Sequence, residues 1–441
     1  MRILLCSTYE LGHQPFGLAS PAAVLRADGH EVDCIDLAVS SLPARAVEEA
    51  DLIAFYLPMH TATRLAVGVI EQVRARNRRA QLVCYGLYAP LNEGLLRRLG
   101  VQTILGGEFE PALCRLARGE TGPPATLISL ERFAFRKPDR SGLPPLGRYA
   151  ALASNGARKT AGYTEASRGC KHWCRHCPVV PVYGGRFRVV PLEVVLADIR
   201  AQVEAGAGHI TFGDPDFFNG PAHAVRIVEA LHREFPWLTY DVTIKIEHLL
   251  RHADLLGVLR QTGCLFLTSA AESIDDAVLA RLRKGHTQAD FLEAVRRVRA
   301  AGLELAPTFI PFTPWTSWES YRGLLRLILE QDLVANVAPI QLALRLLIPA
   351  GSLLLELEEV RRLVGPFDEA GLLWPWKHPD ASLDELATEL LRLVAGEQRQ
   401  GRSRLQTFAR IWELAYGAPL GEDPDRVKRT TIPFLEEPWY C

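Results

Sequence analysis

The sequence lacks the features that would assign it to a membrane-spanning, secreted or nucleic-acid-coating class. No stretch approaches the roughly 20 uninterrupted apolar residues that a membrane helix needs. Its 50 Lys and Arg residues are balanced by 51 Asp and Glu, so no basic excess exists to attract nucleic acid or an anionic membrane. The apolar run Met1–Cys6 is short, and Ser7, Tyr9 and Glu10 follow it, which argues against a secretory signal. We therefore expect a cytoplasmic protein without membrane or nucleic-acid partners.

Cysteine is also scarce, and the 9 cysteines among 441 residues are too few and too scattered for a disulfide framework. Three of them, Cys170, Cys174 and Cys177, nevertheless form a compact CxxxCxxC pattern. Three thiolates on one loop can hold three corners of a [4Fe–4S] cluster and leave the fourth iron open for a substrate or cofactor. The alternative is a structural zinc site that takes His172 or His176 as its fourth ligand.

The remaining sequence predicts an α/β protein with two βα series, whose predicted strands include Arg2–Ser7, Gln81–Tyr85, Tyr163–Ser167 and His209–Phe212. Residues 1–119 alternate short apolar strands with helical segments, which is typical of a doubly wound, Rossmann-like sheet. Residues 120–162 are Pro-rich without a sustained period, and we predict a linker there. About six βα units over 163–352 are too few for a closed eightfold barrel and favour a partial (β/α)6 barrel, whose last strand is predicted at Ala338–Leu346. Residues 353–441 are predicted to be a helical region with an extended tail.

The cysteine motif, placed after the first strand of a partial barrel, resembles that of the radical S-adenosylmethionine (SAM) enzymes. The resemblance implies that Cys170, Cys174 and Cys177 ligate a [4Fe–4S] cluster whose open iron chelates the amino and carboxylate groups of SAM. In that family an electron from the cluster cleaves SAM to methionine and a 5′-deoxyadenosyl radical, which abstracts hydrogen from the substrate. It further implies a small-molecule substrate and an external electron donor of the flavodoxin or ferredoxin type.

The same resemblance implies SAM contacts at other strand ends. The Ser-Ala-Ala-Glu-Ser stretch at 269–273 resembles the ribose-binding strand end of the family, so Ser269 and Glu272 are predicted to contact SAM. Glu272 could instead be an acidic residue at a helix N-terminus. Asp214 and Asp216 lie where family members place a turn that receives the SAM amino group. Arg345 is predicted to hold the SAM carboxylate, and a structural carboxylate is its alternative partner.

A doubly wound domain ahead of such a barrel resembles the cobalamin-dependent branch of the family. Proteins of that branch often lack the Asp-x-His-x-x-Gly signature that supplies a His ligand to cobalt. It is absent here too, because residue 11 is Leu, so His13 is interpreted as a loop residue near the ligand. Gly106, Gly107 and Glu108 resemble the turn that such domains place near the corrin. The resemblance implies cobalamin binding and methyl transfer to an unactivated carbon or phosphorus. The alternatives are a radical SAM enzyme whose N-terminal domain binds substrate without a corrin, and a non-enzymatic iron–sulfur or zinc module.

The C-terminal residues carry the most specific resemblance. Glu437-Pro438-Trp439-Tyr440-Cys441, with the motifs at 166–170, 177–183 and 213–217, resembles the CUAEP/CCAEP-tail radical SAM (seleno)protein group. We expect the aromatic tail to dock in a groove, because aromatic side chains gain much from burial. The Cys441 thiol could then reach the active-site mouth and act there as a catalytic group: a ligand, a hydrogen donor or a covalent handle. The alternative is a frayed terminus, which is the usual state of the last residues of a chain. The resemblance also suggests that the sequence stops at a selenocysteine codon after Cys441.

Overall fold

The computed structural model describes residues 1–120, 126–154, 156–421 and 432–436. Its N-terminal part is a six-stranded parallel sheet of order β2-β1-β3-β4-β5-β6. The strands are β1 Arg2–Ser7, β2 Glu31–Asp36, β3 Leu52–Tyr56, β4 Gln81–Tyr85, β5 Thr103–Gly107 and β6 Thr126–Ser129. The helices between them are α1 Phe16–Ala27, α2 Ala44–Glu49, α3 His60–Arg76, α4 Tyr88–Leu91, α5 Glu93–Arg98 and α6 Glu110–Ala117. The predicted doubly wound fold is confirmed, with one apolar core on each face of the sheet.

The second part is a half-barrel built on a seven-stranded sheet of order β14-β13-β12-β11-β8-β7-β15. Its strands, with a small β9–β10 hairpin beside them, are β7 Ala151–Ser154, β8 Ala157–Thr164, β9 Ser167–Gly169, β10 Phe187–Val189, β11 His209–Phe212, β12 Thr239–Thr243, β13 Cys264–Glu272, β14 Glu304–Phe309 and β15 Phe434–Glu436. The five strands β8, β11, β12, β13 and β14 pair in parallel, whereas β7 and β15 add antiparallel edges. The partial barrel is thereby confirmed.

Helices cover the outer face of the barrel sheet and continue into the C-terminal region. They are α7 Val179–Tyr183, α8 Leu192–Glu204, α9 Pro221–Glu234, α10 Ile246–Arg251, α11 Leu256–Gln261, α12 Asp276–Leu282, α13 Gln288–Ala300, α14 Trp318–Glu330, α15 Glu358–Leu363, α16 Ala381–Arg399 and α17 Arg404–Tyr416. α16 and α17 pack their apolar faces on the main barrel core. None of the helices in the described part of the chain is long and apolar enough to cross a bilayer.

The predicted sixth barrel strand at Ala338–Leu346 is wrong. Residues Pro339–Leu342 form a 3-10 turn, and only Arg345 makes a parallel bridge, to Phe312. Pro339 has no N–H to donate to a strand ladder, which favours the turn over continued pairing. The barrel therefore stays open on the side beyond β14.

The segment predicted as a linker without regular structure contains β6, β7 and the start of β8. The predicted first barrel strand, Tyr163–Ser167, begins instead at Ala157. Within the segment, the Arg140 guanidinium donates to Gln14 Oε1 at 3.0 Å and to both carboxylate oxygens of Asp198 at 2.9 Å. Because Gln14 belongs to the N-terminal domain and Asp198 to α8, the segment ties the two domains together.

A second contact between the domains is the ion cluster around Arg168, which we call the Arg168 cluster. The guanidinium lies 2.7 Å from Glu110 and 3.3 Å from Glu108 of the N-terminal domain, and 2.9 Å from Glu165 of the barrel. The Arg168 side chain is 7% exposed, and the rings of Phe16, Phe109 and Phe135 surround its guanidinium at 5.2–5.7 Å. Burial raises the pKa of Glu165 to about 7, against the lowering effect of Arg168. The cluster is thus a desolvated charge network that joins the domains.

We predict that Arg168→Met lowers the free energy of unfolding by about 3–5 kcal/mol, because it leaves buried carboxylates without their cation. Arg45→Met removes an exposed pair with Glu49 and should cost about 1 kcal/mol or less. Denaturant unfolding of both variants measures the difference. Equal costs would contradict a stabilising role for the cluster.

Candidate cofactor and active site

The loop after β9 brings the three motif cysteines to the mouth of the barrel. Cys170 and Cys174 are buried and Cys177 is half-buried, and none of the three forms a disulfide. The Cys177 N–H donates to the Cys174 carbonyl at 3.2 Å, which closes a tight turn between them. Burial raises the pKa of the Cys177 thiol to about 12, so this thiol needs a bound metal to ionise. Three free thiols on one sheltered turn fit the ligand set of a [4Fe–4S] cluster with one open iron.

Glu272 lies at the end of β13 in a left-handed backbone conformation, with φ of +65°. Its Oε1 atom accepts from His176 Nε2 at 3.1 Å and from Lys284 Nζ at 3.3 Å. Burial opposes its ionisation, but the Lys284 ammonium and the His176 imidazole lower the pKa of Glu272 to about 2. Lys284 also lies near the thiols of Cys174 and Cys177, which raise its pKa along with Glu272. Glu272 is therefore anionic and connects β13 to the cysteine loop.

Asp216 follows β11 and lies between two imidazoles. Its Oδ2 atom lies 3.2 Å from His172 Nε2 and 2.6 Å from His248 Nδ1. These three ligand-type atoms all lie within 4.8 Å of one another. Burial opposes ionisation, but the imidazoles lower the pKa of Asp216 to about 2. The carboxylate thus contacts the cysteine loop through His172 and α10 through His248.

Asp214 makes a different set of contacts at the same strand end. Its carboxylate accepts from the Ala166 N–H at 2.9 Å and from the Ser167 hydroxyl. Burial raises its pKa to about 7, although these donors favour the anion. The group therefore titrates near neutral pH and holds the segment just before the cysteine loop.

The other two predicted SAM contacts, Ser269 and Arg345, differ in whether another residue of this chain already pairs with them. The Ser269 hydroxyl on β13 is fully buried and has no hydrogen-bond partner among the described residues. An orphaned hydroxyl at a strand end fits a polar group of a bound nucleoside. Arg345 instead pairs with Asp384 of α16 at 2.5 Å and lies 4.1 Å from the Trp376 ring centroid. Its assignment to the SAM carboxylate stays a prediction, as do those of Asp214, Asp216, Ser269 and Glu272.

A cleft between the domains lies above the barrel, at the carboxyl ends of the N-terminal strands. His13, Gly17, Tyr56, Phe109 and the backbone of Gly107 line it, together with Tyr163 and Tyr183 from the barrel side. At Gly17 a Cβ atom would lie 2.1 Å from the Tyr56 ring, so only glycine leaves room for the ring at this place in the wall. A wall of backbone and aromatic faces fits a flat macrocycle such as the corrin of cobalamin.

The predicted residues around β5 fall into two groups. Gly106 and Gly107 end the strand, and a Cβ on Gly107 would lie 2.2 Å from the Ser129 carbonyl of β6, so close strand packing requires glycine there. Glu108 belongs to the Arg168 cluster. Cys441 lies outside the described residues, as does the rest of 437–441. The nearer part of the tail, β15, docks on β7 with Phe434 opposite Ala153.

Sequence reasoning missed several charged groups that the fold brings to the site. No site role was predicted for Lys284, and Glu110, Glu165 and Arg168 were not predicted as a cluster. The signal for the cluster was present, since three carboxylates and an arginine flank the glycine-rich ends of two predicted strands. Their meeting depends on how the two domains dock, and no local pattern specifies that.

We predict that Asp214→Asn flattens the pH dependence of stability. The folded pKa of about 7 lies above the ordinary value of 3.8, so the native state binds its proton more tightly and wild-type stability falls as pH rises from 4 to 7. Asn mimics the protonated acid and removes this loss. The melting temperature of the metal-free protein at pH 5 and pH 8 measures it, with Asp33→Asn on the exposed face of β2 as the control. Parallel pH profiles for wild type and Asp214→Asn would contradict the assignment.

Two family models match the two halves of this architecture. Residues 2–117 match the B12 binding domain, and residues 164–328 match the Radical SAM superfamily. The hopanoid C-3 methylase of Methylococcus capsulatus is 25% identical over 67% of this chain and 61% of that protein. The chain therefore spans about three-fifths of the length of this curated relative.

Solved structures show the same fold. The cobalamin-dependent SAM radical enzyme OxsB, with aqua-cobalamin and SAM bound, superposes with a TM-score of 0.71 at 14% identity, covering 90% of this chain and 66% of that one. The radical SAM methyltransferase TsrM from Kitasatospora setae gives a TM-score of 0.58 at 18% identity, covering 75% and 72% of the two chains. The two matched domains account for the [4Fe–4S] cluster, SAM and cobalamin expected from the sequence. Along this chain a match to the B12 binding domain thus precedes a match to the Radical SAM superfamily, and the fold is that of the cobalamin-dependent SAM radical enzyme OxsB.

Proposed function

We propose that this protein cleaves SAM reductively at a [4Fe–4S] cluster held by Cys170, Cys174 and Cys177, and that it uses cobalamin to transfer a methyl group to a small-molecule substrate. One observation carries the proposal. A cavity inside the barrel and the cleft of the B12-binding domain share the lining residues Leu11, His13, Tyr163, Gly213 and Pro215. The cleft is also lined by Gly169 and Val179, which flank the cysteine loop. Cluster, corrin and substrate would therefore occupy adjoining spaces.

When bound, the cluster supplies the electron that cleaves SAM and cobalamin supplies a methyl carrier. The chain's own residues position and shield these groups. Lys284 places a buried positive charge near the Cys177 thiol, which favours the ionised form of that thiol. Glu272 and Asp216 contact histidines of the cysteine loop, and Asp214 contacts the segment just before it. The apolar residues around Cys170, including Val179 and Tyr183, exclude water from the cluster.

The same proposal includes the electron donor, the cellular location and the narrower protein group. A flavodoxin or ferredoxin would be the electron donor, and the protein would act in the cytoplasm. We place the chain with the CUAEP/CCAEP-tail group on its motifs at 166–170, 177–183, 213–217 and 437–441. A second candidate, a radical SAM enzyme that binds substrate rather than cobalamin in its N-terminal domain, is separated from the first by the second test below.

We predict that Cys174→Ala abolishes both iron binding and the release of 5′-deoxyadenosine from SAM under reducing conditions. Removing one of three thiolates leaves the cluster without a closed ligand set. Cys264→Ala should keep both properties, because Cys264 is fully buried in the apolar core at the start of β13 and its thiol donates to the Phe266 carbonyl. Anaerobic reconstitution, iron analysis and product chromatography measure both. Stoichiometric zinc without 5′-deoxyadenosine in the wild type would overturn the proposal.

We predict that Gly17→Val lowers cobalamin retention at least tenfold without changing the iron content. The new side chain must push the Tyr56 ring out of its place in the cleft wall. Gly68→Val is the matched control, because Gly68 is an exposed position of α3 with no atom within 4 Å of its would-be Cβ. Each protein is incubated with hydroxocobalamin and desalted, and the retained corrin is read from its absorbance. A wild type that retains no corrin favours the second candidate.

A further inference from the structure

The cavity inside the barrel has a volume of about 390 Å³. Pockets that bind small organic ligands span roughly 300–1,000 Å³, so its size suits a small molecule. The walls come mainly from β11 to β14 and are largely apolar. Their polar side chains include the neutral Thr243, Thr268 and Thr308 and the acidic Asp214 and Asp241. Residues 432–435 of the C-terminal segment, which includes the start of β15, also line the cavity.

One side chain in this wall carries a positive charge without a matching negative one. Arg404 begins α17, and its Nη1 atom donates to the Ala335 carbonyl at 2.6 Å. Its guanidinium lies 4.6 Å from the Phe434 ring centroid. No carboxylate within the described ranges forms an ion pair with it. Other sheltered arginines of this chain, Arg140 and Arg168, are paired with carboxylates.

The guanidinium also has unused hydrogen-bonding capacity. It has five N–H donors in a planar fork, and the single bond to Ala335 uses one of them. Burial lowers its pKa to about 10, and no neighbouring charge offsets this. Keeping a desolvated cation without a partner is costly, so such a group in a cavity wall calls for an anionic ligand. The fork matches the geometry of carboxylate and phosphoryl oxygens, which it binds through two parallel hydrogen bonds.

We propose that Arg404 binds an anionic group of the substrate, a carboxylate or a phosphoryl group, at the end of the cavity formed by the C-terminal segment. This inference rests on the proposed function, since it assigns the barrel cavity to the substrate. The Phe434 ring and the Ala335 carbonyl both contact the guanidinium and hold it in place. Anchoring the anion there directs the opposite end of the substrate toward Pro215 and His13, where the cavity meets the cleft of the B12-binding domain.

Arg404 could instead serve only to hold the C-terminal segment through Phe434. The two roles differ in one measurable respect, because a purely structural clamp binds no added anion. Selenate, a tetrahedral dianion, and 4-iodobenzoate, a carboxylate, both scatter X-rays anomalously and report on the two anion types separately. Crystals of the anaerobically reconstituted protein would be soaked in each compound.

An anomalous peak beside the Arg404 guanidinium in the wild type is the expected result. The peak should persist in Arg404→Lys, disappear in Arg404→Met and persist in Arg410→Met, a substitution at an exposed position of the same helix. In solution, calorimetry should give a dissociation constant for the bound probe at least tenfold higher in Arg404→Met than in Arg410→Met. A peak with one probe alone assigns that anion type.

The proposal is overturned if wild-type crystals show no peak at Arg404 with either probe, or if the peak survives in Arg404→Met. Neither result depends on turnover. Release of 5′-deoxyadenosine by the wild type is measured separately, so a failed anion site and a failed SAM-cleaving activity are told apart. Arg410→Met should release the product at the wild-type rate.

Discussion

The position of Arg168 constrains the rest of the molecule. Its single positive charge lies among three carboxylates, two from the N-terminal domain and one from the barrel, within a shell of aromatic rings. Only Gly169 separates it from Cys170, and Gly169 has a φ of +75° with its backbone pressed against Tyr183. The contact that docks the two domains is therefore continuous with the loop that carries the cysteines. A change in domain position would move the cysteine loop as well.

Three carboxylates near the barrel mouth all contact the segment that carries the first two motif cysteines. Asp214 binds Ser167 and the Ala166 N–H, Asp216 contacts His172, and Glu272 contacts His176. All of these partners lie between 166 and 176, on both sides of the first motif cysteine. The three carboxylates that the sequence predicts to contact SAM thus also hold the loop that carries the cluster cysteines. In such an arrangement, cofactor binding and loop order are energetically linked, because both draw on the same few carboxylates.

The sequence predicts those features that depend on local pattern. β1, β4 and β11 begin and end at the predicted residues, because each is a short, mostly apolar run that is buried on both faces of a parallel sheet. β6 escaped prediction because it is a four-residue edge strand with exposed leucine and isoleucine side chains. The sixth barrel strand was predicted on apolar content, and Pro339 disrupts it. The cysteine ligands were predicted from spacing, whereas the roles of Arg168, Lys284 and Arg404 depend on contacts between distant segments.

β7 and β15 pair in the folded sheet but are synthesised far apart in time. During synthesis β7 leaves the ribosome before every other strand of its sheet, and β15 leaves after all of them. At the usual 5–20 residues per second, the barrel interior lacks its last wall for on the order of tens of seconds. During that interval the unfinished barrel is open along one side, and small molecules have a wider route to its interior than in the finished protein.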